Sequence, residues 1–332
     1  MSKRIIAQNE EIVIGVDVSD WRHNAAVVRT KGGELIEDNE VKPDYESWRK
    51  YLDKFPGCAV TVVYESGPQG YNLYDAIRKL GREAVVIAPV KHAGVKTDKR
   101  DARAIAHDYL AGRAKAVTVP DAWKREARQV LRLRAQYMKA LVRTRNRTSA
   151  LIRFHGLTNR LAPWRKSAVS GHLKFCLESL NTTEKFFTEM IRMLDNKMEQ
   201  IATEPQLRPT VRKLTLIKGI GTLTALEIAL EVADISKFKS SAEFASYTGL
   251  CPGEWSSGNT RRQGHITRRG PGRLRGALVR SSWTLVRCNA EEKKRFETLA
   301  ARAGKKRAIV ATARRLAVTI WWTLRESNEK AA

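Results

Sequence analysis

The first ninety residues set short apolar runs between turn-forming residues, at strand length. EIVIGVDVS (11–19), NAAVVRT (24–30) and a segment near 33–42 read as three strands, with Gly32-Gly33 suited to the tight turn between the last two. A short helix is expected over 46–55, a buried strand over 59–66, a helix over 70–80 and a strand over 83–89 closed by Pro89. Three strands with hairpin signals, then alternating helix and strand, predict an α/β unit with a mixed sheet. No G-x-G-x-x-G follows the first strand, so a dinucleotide-binding doubly wound fold has no support.

Beyond residue 120 the period becomes helical. Leu131, Ala135, Met138, Val142, Ser149 and Ile152 form a weak heptad-like stripe, interrupted across Arg145. A second helix is signalled from Asn181, with Glu184 completing a capping box and Phe187, Met190, Leu194 and Ile201 as its stripe. An antiparallel helical arm follows, with Gly156–Pro163 and Gly171 in its connection. In LTLIKGIGTLTALEIALEV (214–232), Gly219 and Gly221 form a turn entering a helix, the helix-hairpin-helix pattern. Such a turn either lets phosphate approach the backbone at a helix N-terminus or merely joins two helices. Residues 290–328 read as helices, with Trp321 and Trp322 as packing anchors.

Charge divides this pattern. The 332 residues carry 61 Lys and Arg against 35 Asp and Glu, a net charge of +26, which points to a polyanionic partner, and to nucleic acid first. Residues 1–90 hold 12 basic and 14 acidic residues, so residues 91–332 hold the other 49 basic and 21 acidic ones. Residues 122–175 contain 14 basic residues and the single acid Glu126, which makes Arg128, Arg132, Lys139, Arg143 and Arg147 candidates for phosphate contact. The segment 255–280 has seven arginines and no carboxylate, and Arg261, Arg262, Arg268 and Arg269 suit bidentate phosphate recognition. Three domains are expected: 1–120, 121–205 and 206–332. Cys58, Cys176, Cys251 and Cys288 are far apart, which excludes a zinc ribbon and predicts buried, apolar roles. MSKRIIAQNEE lacks the apolar core of a signal peptide, and no long apolar run exists, so a cytoplasmic protein without a membrane partner is expected.

The acids carry the candidate chemistry. Asp17 ends the first strand, Glu65 ends the fourth, and Asp98 and Asp101 open a helix in KTDKRDARA with a spacing that puts both on one face. Each alone suits a turn or a helix cap. Four together need cations, and hard oxygen ligands suit Mg²⁺ or Mn²⁺, two of which can clamp both sides of a phosphodiester. Ser256 and Ser257, in an arginine-rich loop, are candidate nucleophiles.

GVDVS, YESG and KTDKRDA resemble the motif order of RuvC-like, ribonuclease-H-fold DEDD domains, and most of all the DEDD transposases of insertion sequences that use a bridge (seeker) RNA. The run GLCP, SSG, RR, GHITRRG and LR (249–275) resembles the C-terminal domain of the same transposases. The resemblance implies that Asp17, Glu65, Asp98 and Asp101 bind two catalytic metal ions. It also implies that Ser257, with Ser256 as its neighbouring rival, attacks DNA and forms a covalent intermediate. Donor and target DNA, a structured non-coding guide RNA and a tetramer (dimer of dimers) are the implied partners, and a coiled-coil arm and a mainly α C-terminal domain the implied architecture. Two other readings are a Holliday-junction-type endonuclease using water, and a non-catalytic basic nucleic-acid-binding protein.

Overall fold

Strands β1 (Glu11–Val18), β2 (His23–Arg29) and β3 (Leu35–Val41) form an antiparallel meander, and β4 (Ala59–Glu65) and β5 (Glu83–Ile87) add to β1 in parallel. The sheet order is β3-β2-β1-β4-β5. Helices α1 (Tyr45–Leu52) and α2 (Asn72–Lys79) supply the crossovers, and α3 (Asp98–Leu110) follows β5. The computed structural model describes residues 9–90, 98–157, 169, 171–232, 234–257 and 260–329.

Alternation along the strands sorts the apolar side chains onto two faces. Ile12, Ile14, Val16, Val60 and Val62 pack with Trp48 and Leu52 of α1 and Leu73 and Ile77 of α2. Val13, Val63 and Ile87 pack on the other face with Ile105 and Ala106 of α3. At Gly15 the sheet admits α3 closely: a Cβ there would stand 2.6 Å from the Ala106 backbone nitrogen and closer still to Ala102 O. Gly15→Ala is therefore expected to cost about 1–3 kcal/mol by forcing α3 off the sheet. Equilibrium denaturant unfolding measures it, and an unchanged midpoint would show that the helix yields freely.

His23, at the start of β2, is buried and accepts a 2.9 Å hydrogen bond at Nδ1 from Trp48 Nε1. Burial disfavours its charged form and holds its pKa below the usual 6.5. The unfolded chain then binds the proton more readily, so this contribution is complete above about pH 6.5 and is lost as pH falls through the lower, folded value. A smaller drop in urea midpoint from pH 7.5 to 5.5 is expected in His23→Gln than in the wild type. Equal drops would assign the acid sensitivity elsewhere.

The chain separates into two compact units, Met1–Val119 and Pro120–Ala332. The second is mostly helical: α4 (Ala122–Phe154), α5 (Gly171–Thr203), α6 (Arg208–Thr215), α7 (Thr222–Glu231), α8 (Ser241–Tyr247), the hairpin β6 (Pro252–Ser257) and β7 (Thr260–Ile266), α9 (Gly272–Cys288), α10 (Ala290–Ala303) and α11 (Lys305–Glu329). The arm and the C-terminal segment share one core, because Ala127 and Leu131 of α4 and Met198 and Ile201 of α5 pack with Leu226, Leu278, Leu316 and Trp321.

The helices α4 and α5 run antiparallel, with Arg134 paired to Asp195, Arg145 to Glu184, and Ile152 packed with Leu177. The second helix starts at Gly171, not at Asn181: the capping-box motif lies ten residues inside α5, where buried Leu177 secures the earlier turns. On α4 the buried stripe runs Ala127, Leu131, Leu141, Thr144, Thr148 and Ile152, whereas Met138 and Val142 are exposed. Thr148 holds its hydroxyl inside the fold by local bonding, its Oγ1 donating to Thr144 O at 3.1 Å. The connection around Gly156–Pro163 lies mostly outside the described residues. Cys58 is buried, as expected, but Cys176 and Cys288 occupy exposed helical faces. Trp321 is a core anchor, its Nε1 donating to Phe238 O at 3.3 Å, while Trp322 is exposed. No helix among the described residues is long and apolar enough to cross a membrane.

Candidate nucleic-acid site and carboxylate edge

Parallel pairing sets Val16 beside Tyr64, so the next residues, Asp17 and Glu65, end neighbouring strands at the same edge of the sheet. Adjacent strands lie about 4.8 Å apart. Both acids fall on the face that holds Val13, Gly15 and Val63, the face covered by α3. The direction of α3 follows from three contacts: Ala102 and Ala106 lie over Gly15, Arg103 pairs with Asp38, and His107 approaches Gly33 at the far end of β2. The helix thus runs from the Asp17 end of β1 towards its Glu11 end, and its first turn carries Asp98 and Asp101 to the edge where Asp17 and Glu65 stand.

The side chains themselves are not drawn into one group. Among the described residues, no three His, Cys, Asp or Glu side chains are gathered closely enough to hold a metal ion. Glu65 Oε1 accepts the Val90 backbone N–H at 3.1 Å, Asp98 is exposed, and Asp17 and Asp101 are partly covered. Carboxylates repel one another without a cation between them, and the donor chemistry of four hard oxygens fits a divalent ion. Asp108, on the same helix, is buried and paired with Arg113 at 2.7 Å; it is structural.

In the second unit, Ser257 is the last residue of β6, its backbone paired with Thr260, and Ser256 pairs with Arg261. The serines lie on a β-ribbon and not on the irregular loop expected from the glycine content. Arg262, paired with Trp255, continues the same ribbon. The turn after β7 locks onto the end of α8: a Cβ at Gly270 would collide with Tyr247 O, and Arg275 donates to Thr248 O at 3.3 Å. Arg268, in the left-handed region at φ 54°, and Arg269 are both exposed on that turn.

The other expected phosphate ligands divide. Arg128 is not a free surface cation: its Nε donates to Leu230 O at 2.6 Å and its Nη2 to Glu231 O, closing the C-terminus of α7. Arg132, Lys139, Arg143 and Arg147 are exposed along one side of α4. Gly219, at φ 89°, makes room for α9, since a Cβ would meet Leu285 N at 2.8 Å and Ser281 O at 2.9 Å. Gly221 faces open space at the α7 N-terminus, which has no side-chain cap. Replacing Arg132, Lys139, Arg143 and Arg147 together by Ala is expected to weaken nucleic-acid binding and to flatten its logarithmic salt slope by about 0.7–0.9 per lost contact. A titration from low to moderate salt reads both, and an unchanged slope would remove this face from the binding surface.

Trp21, four residues after Asp17 at the β1–β2 turn, is 88% exposed. Sequence periodicity alone gave no reason to select it. Its position is suited to stacking on a base.

Residues 14–155 match a model of IS110 DEDD transposases, described as Transposase, and residues 211–297 match the Transposase IS116/IS110/IS902 family. The chain belongs to the IS110/IS116 family of insertion-sequence transposases. Its sequence is similar to the Sinorhizobium fredii protein y4qE, 29% identical over 98% of this chain and 92% of the relative. It is also similar to the transposase for insertion sequence element IS1111A of Coxiella burnetii, 26% identical over 80% of this chain and 77% of that protein. The transposase for insertion sequence element IS1533 of Leptospira borgpetersenii is 24% identical over 73% of this chain and 75% of its own. As a transposase of this family the chain is a DNA-cleaving and DNA-transferring enzyme, and its DEDD class implies use of a divalent metal.

Proposed function

We propose that this transposase is a guided DNA recombinase with a RuvC-like site at the β1/β4 edge and a serine nucleophile on the β6–β7 ribbon. The observation that carries the reading is the placement of Asp17 and Glu65 at the ends of adjacent parallel strands, with Asp98 and Asp101 on the first turn of the helix covering that face. The order β3-β2-β1-β4-β5, antiparallel on one side of β1 and parallel on the other, supports the ribonuclease-H reading of the first unit. The uncapped α7 N-terminus behind Gly221 supports the helix-hairpin-helix reading.

Asp17, Glu65, Asp98 and Asp101 would hold Mg²⁺ or Mn²⁺, two ions per site. Bound there, the metal supplies Lewis-acid stabilisation of charge on phosphate oxygens. Ser257 Oγ attacks phosphorus; its P–O bond forms as the strand's own P–O bond breaks, and the serine proton leaves while the released oxygen becomes a hydroxyl. The exposed cations of α4 and the turn at Arg268 and Arg269 grip backbone phosphates, which gives affinity without sequence. Sequence choice then falls to a structured guide RNA through base pairing. The working assembly is a tetramer on DNA in the bacterial cytoplasm.

The test combines purified protein, DNA carrying the element's ends, and RNA transcribed from the element's non-coding flank. Mg²⁺-dependent cleavage that requires the RNA is expected. Cleavage of equal rate and position without RNA would overturn the guided reading, and no cleavage with any divalent ion would overturn the active site.

A further inference from the structure

The first unit contains a cavity of about 430 Å³ on the α1/α2 side of the sheet, at the same strand edge as Asp17 and Glu65. Its apolar wall is Tyr45, Trp48 and Leu73, and its polar rim is Asp20, Gln69 and Asn72. We propose that this cavity binds an unpaired nucleobase of the DNA strand next to the phosphate being cut. The proposal rests on the reading of the β1/β4 edge as the cleavage site.

Four observations support a base over other ligands. The volume falls in the range of about 300–1,000 Å³ usual for small-molecule sites. In a chain of net charge +26, no lysine or arginine lines this cavity, so it is not made for a phosphate. Half-buried Tyr45, one face of which carries Lys79 Nζ at 5.1 Å, leaves its other face for stacking, while Trp48, 1% exposed, closes the floor. The rim offers a carboxylate acceptor and two amides, each with a donor and an acceptor, which match the alternating edge of a base.

The other polar groups around the cavity are already engaged. Asp44 accepts Ser47 N–H at 2.8 Å as the cap of α1, His23 accepts Trp48 Nε1, and Tyr64 OH donates to Gly70 O at 3.2 Å. Asp20, Gln69 and Asn72 have no such partner among the described residues. Chain continuity ties the cavity to the site: Asp20 is three residues beyond Asp17, and Gln69 four beyond Glu65. Both loops that leave the acid-bearing strand ends therefore end in the rim. A base drawn out of the duplex into this cavity would fix the register of its strand across the edge. The unpairing cost of a few kcal/mol would also favour DNA already opened.

The experiment uses full-length protein with its nucleic-acid partners and duplexes spanning the element's terminus, each carrying one 5-iodo-deoxyuridine. Long-wavelength irradiation in Ca²⁺, followed by peptide mapping, reads which residue touches each base. A crosslink to Tyr45 is expected from one position within about three nucleotides of the terminus. Ala76→Phe, which fills the cavity, is expected to reduce that crosslink and the Mg²⁺-dependent cleavage rate by at least about tenfold, while overall DNA affinity, set by the cations, changes by less than about twofold. Asn72→Ala with Gln69→Ala alters only the rim and is expected to flatten the preference among the four bases at that position, which serves if Ala76→Phe does not fold. The proposal is overturned if no terminal position crosslinks to Tyr45, or if a folded Ala76→Phe protein retains the crosslink. It is equally overturned if the rim variant keeps its base preference. Cleavage by the wild type in Mg²⁺ is read separately, so an intact cleavage activity with no such crosslink sinks the cavity alone.

Discussion

Asp17→Asn is expected to reduce DNA cleavage by at least about 10³-fold while leaving the fold and DNA affinity nearly unchanged. The amide keeps the shape of the side chain and removes the charge that a divalent ion needs. Losing the several kcal/mol that a Lewis acid supplies to a phosphoryl transition state translates into a factor of this size. Asp17 is only partly covered and stands one residue before the end of its strand, outside the packed apolar clusters of the sheet. Asp108→Asn makes the opposite comparison. Its carboxylate is buried on α3 against Arg113, and the substitution is expected to cost about 1–3 kcal/mol of stability. Cleavage per folded Asp108→Asn molecule should stay near the wild-type rate. Gel-based cleavage assays and denaturant melts on both variants separate a reacting acid from a structural one. If Asp17→Asn cuts within tenfold of the wild type, the strand edge is not the active site.

The first unit was legible because its strands are short, apolar and bounded by turn residues, and because its acids fall at element ends. Asp17 and Glu65 needed only the pleat and a parallel pairing to meet on one face. The position of α3 was not legible. It depends on Gly15, whose missing side chain lets the helix settle on β1, and a lone glycine in a strand does not announce its neighbour. On the arm, the middle of the apolar stripe falls on Leu141 and Thr148 instead of Val142 and Ser149, with Leu131 and Ile152 buried as expected; Thr148 is buried with its hydroxyl turned back on the helix. Composition classes such residues as polar, while the helix satisfies them locally. Asn181 and Glu184 form a capping box by type, yet a motif caps a helix only where the preceding turns cannot bury anything, and Leu177 does. In the serine segment the glycines outweigh the alternation and suggest a loop, whereas the backbone forms a ribbon. Charge density along the arm cannot distinguish a surface cation from Arg128, which closes α7.

The charge balance of the two units fits this division. The region holding Asp17 and Glu65 is close to neutral, which, on the proposed metal-site reading, would keep lysines and arginines from competing with the ion for the carboxylates. The excess lies on the exposed side of α4 and on the turn after β7, where it can offset backbone phosphate. One consequence is a separation of phenotypes: changes on α4 should act through affinity and salt, and changes at the strand edge through rate.

If Ser257 is the nucleophile proposed above, the wild type forms a protein–DNA adduct on denaturing gels, and Ser257→Ala is expected to form none and to lower strand exchange by at least about 10³-fold. Ser256 is the control built into the ribbon. Its backbone pairs with Arg261 while Ser257 pairs with Thr260, and adjacent positions in a strand belong to opposite faces. A single face presented to DNA therefore selects one serine, and Ser256→Ala should keep the adduct. The reverse result, with the adduct lost only in Ser256→Ala, would move the nucleophile by one residue and turn the ribbon over. Cleavage without any adduct in the wild type would assign the attack to water and leave a junction-cutting hydrolase. The distinction matters energetically: a serine ester preserves the phosphodiester bond for rejoining, whereas hydrolysis discards it. On the serine reading, that ester would let strands be resealed without an external energy source.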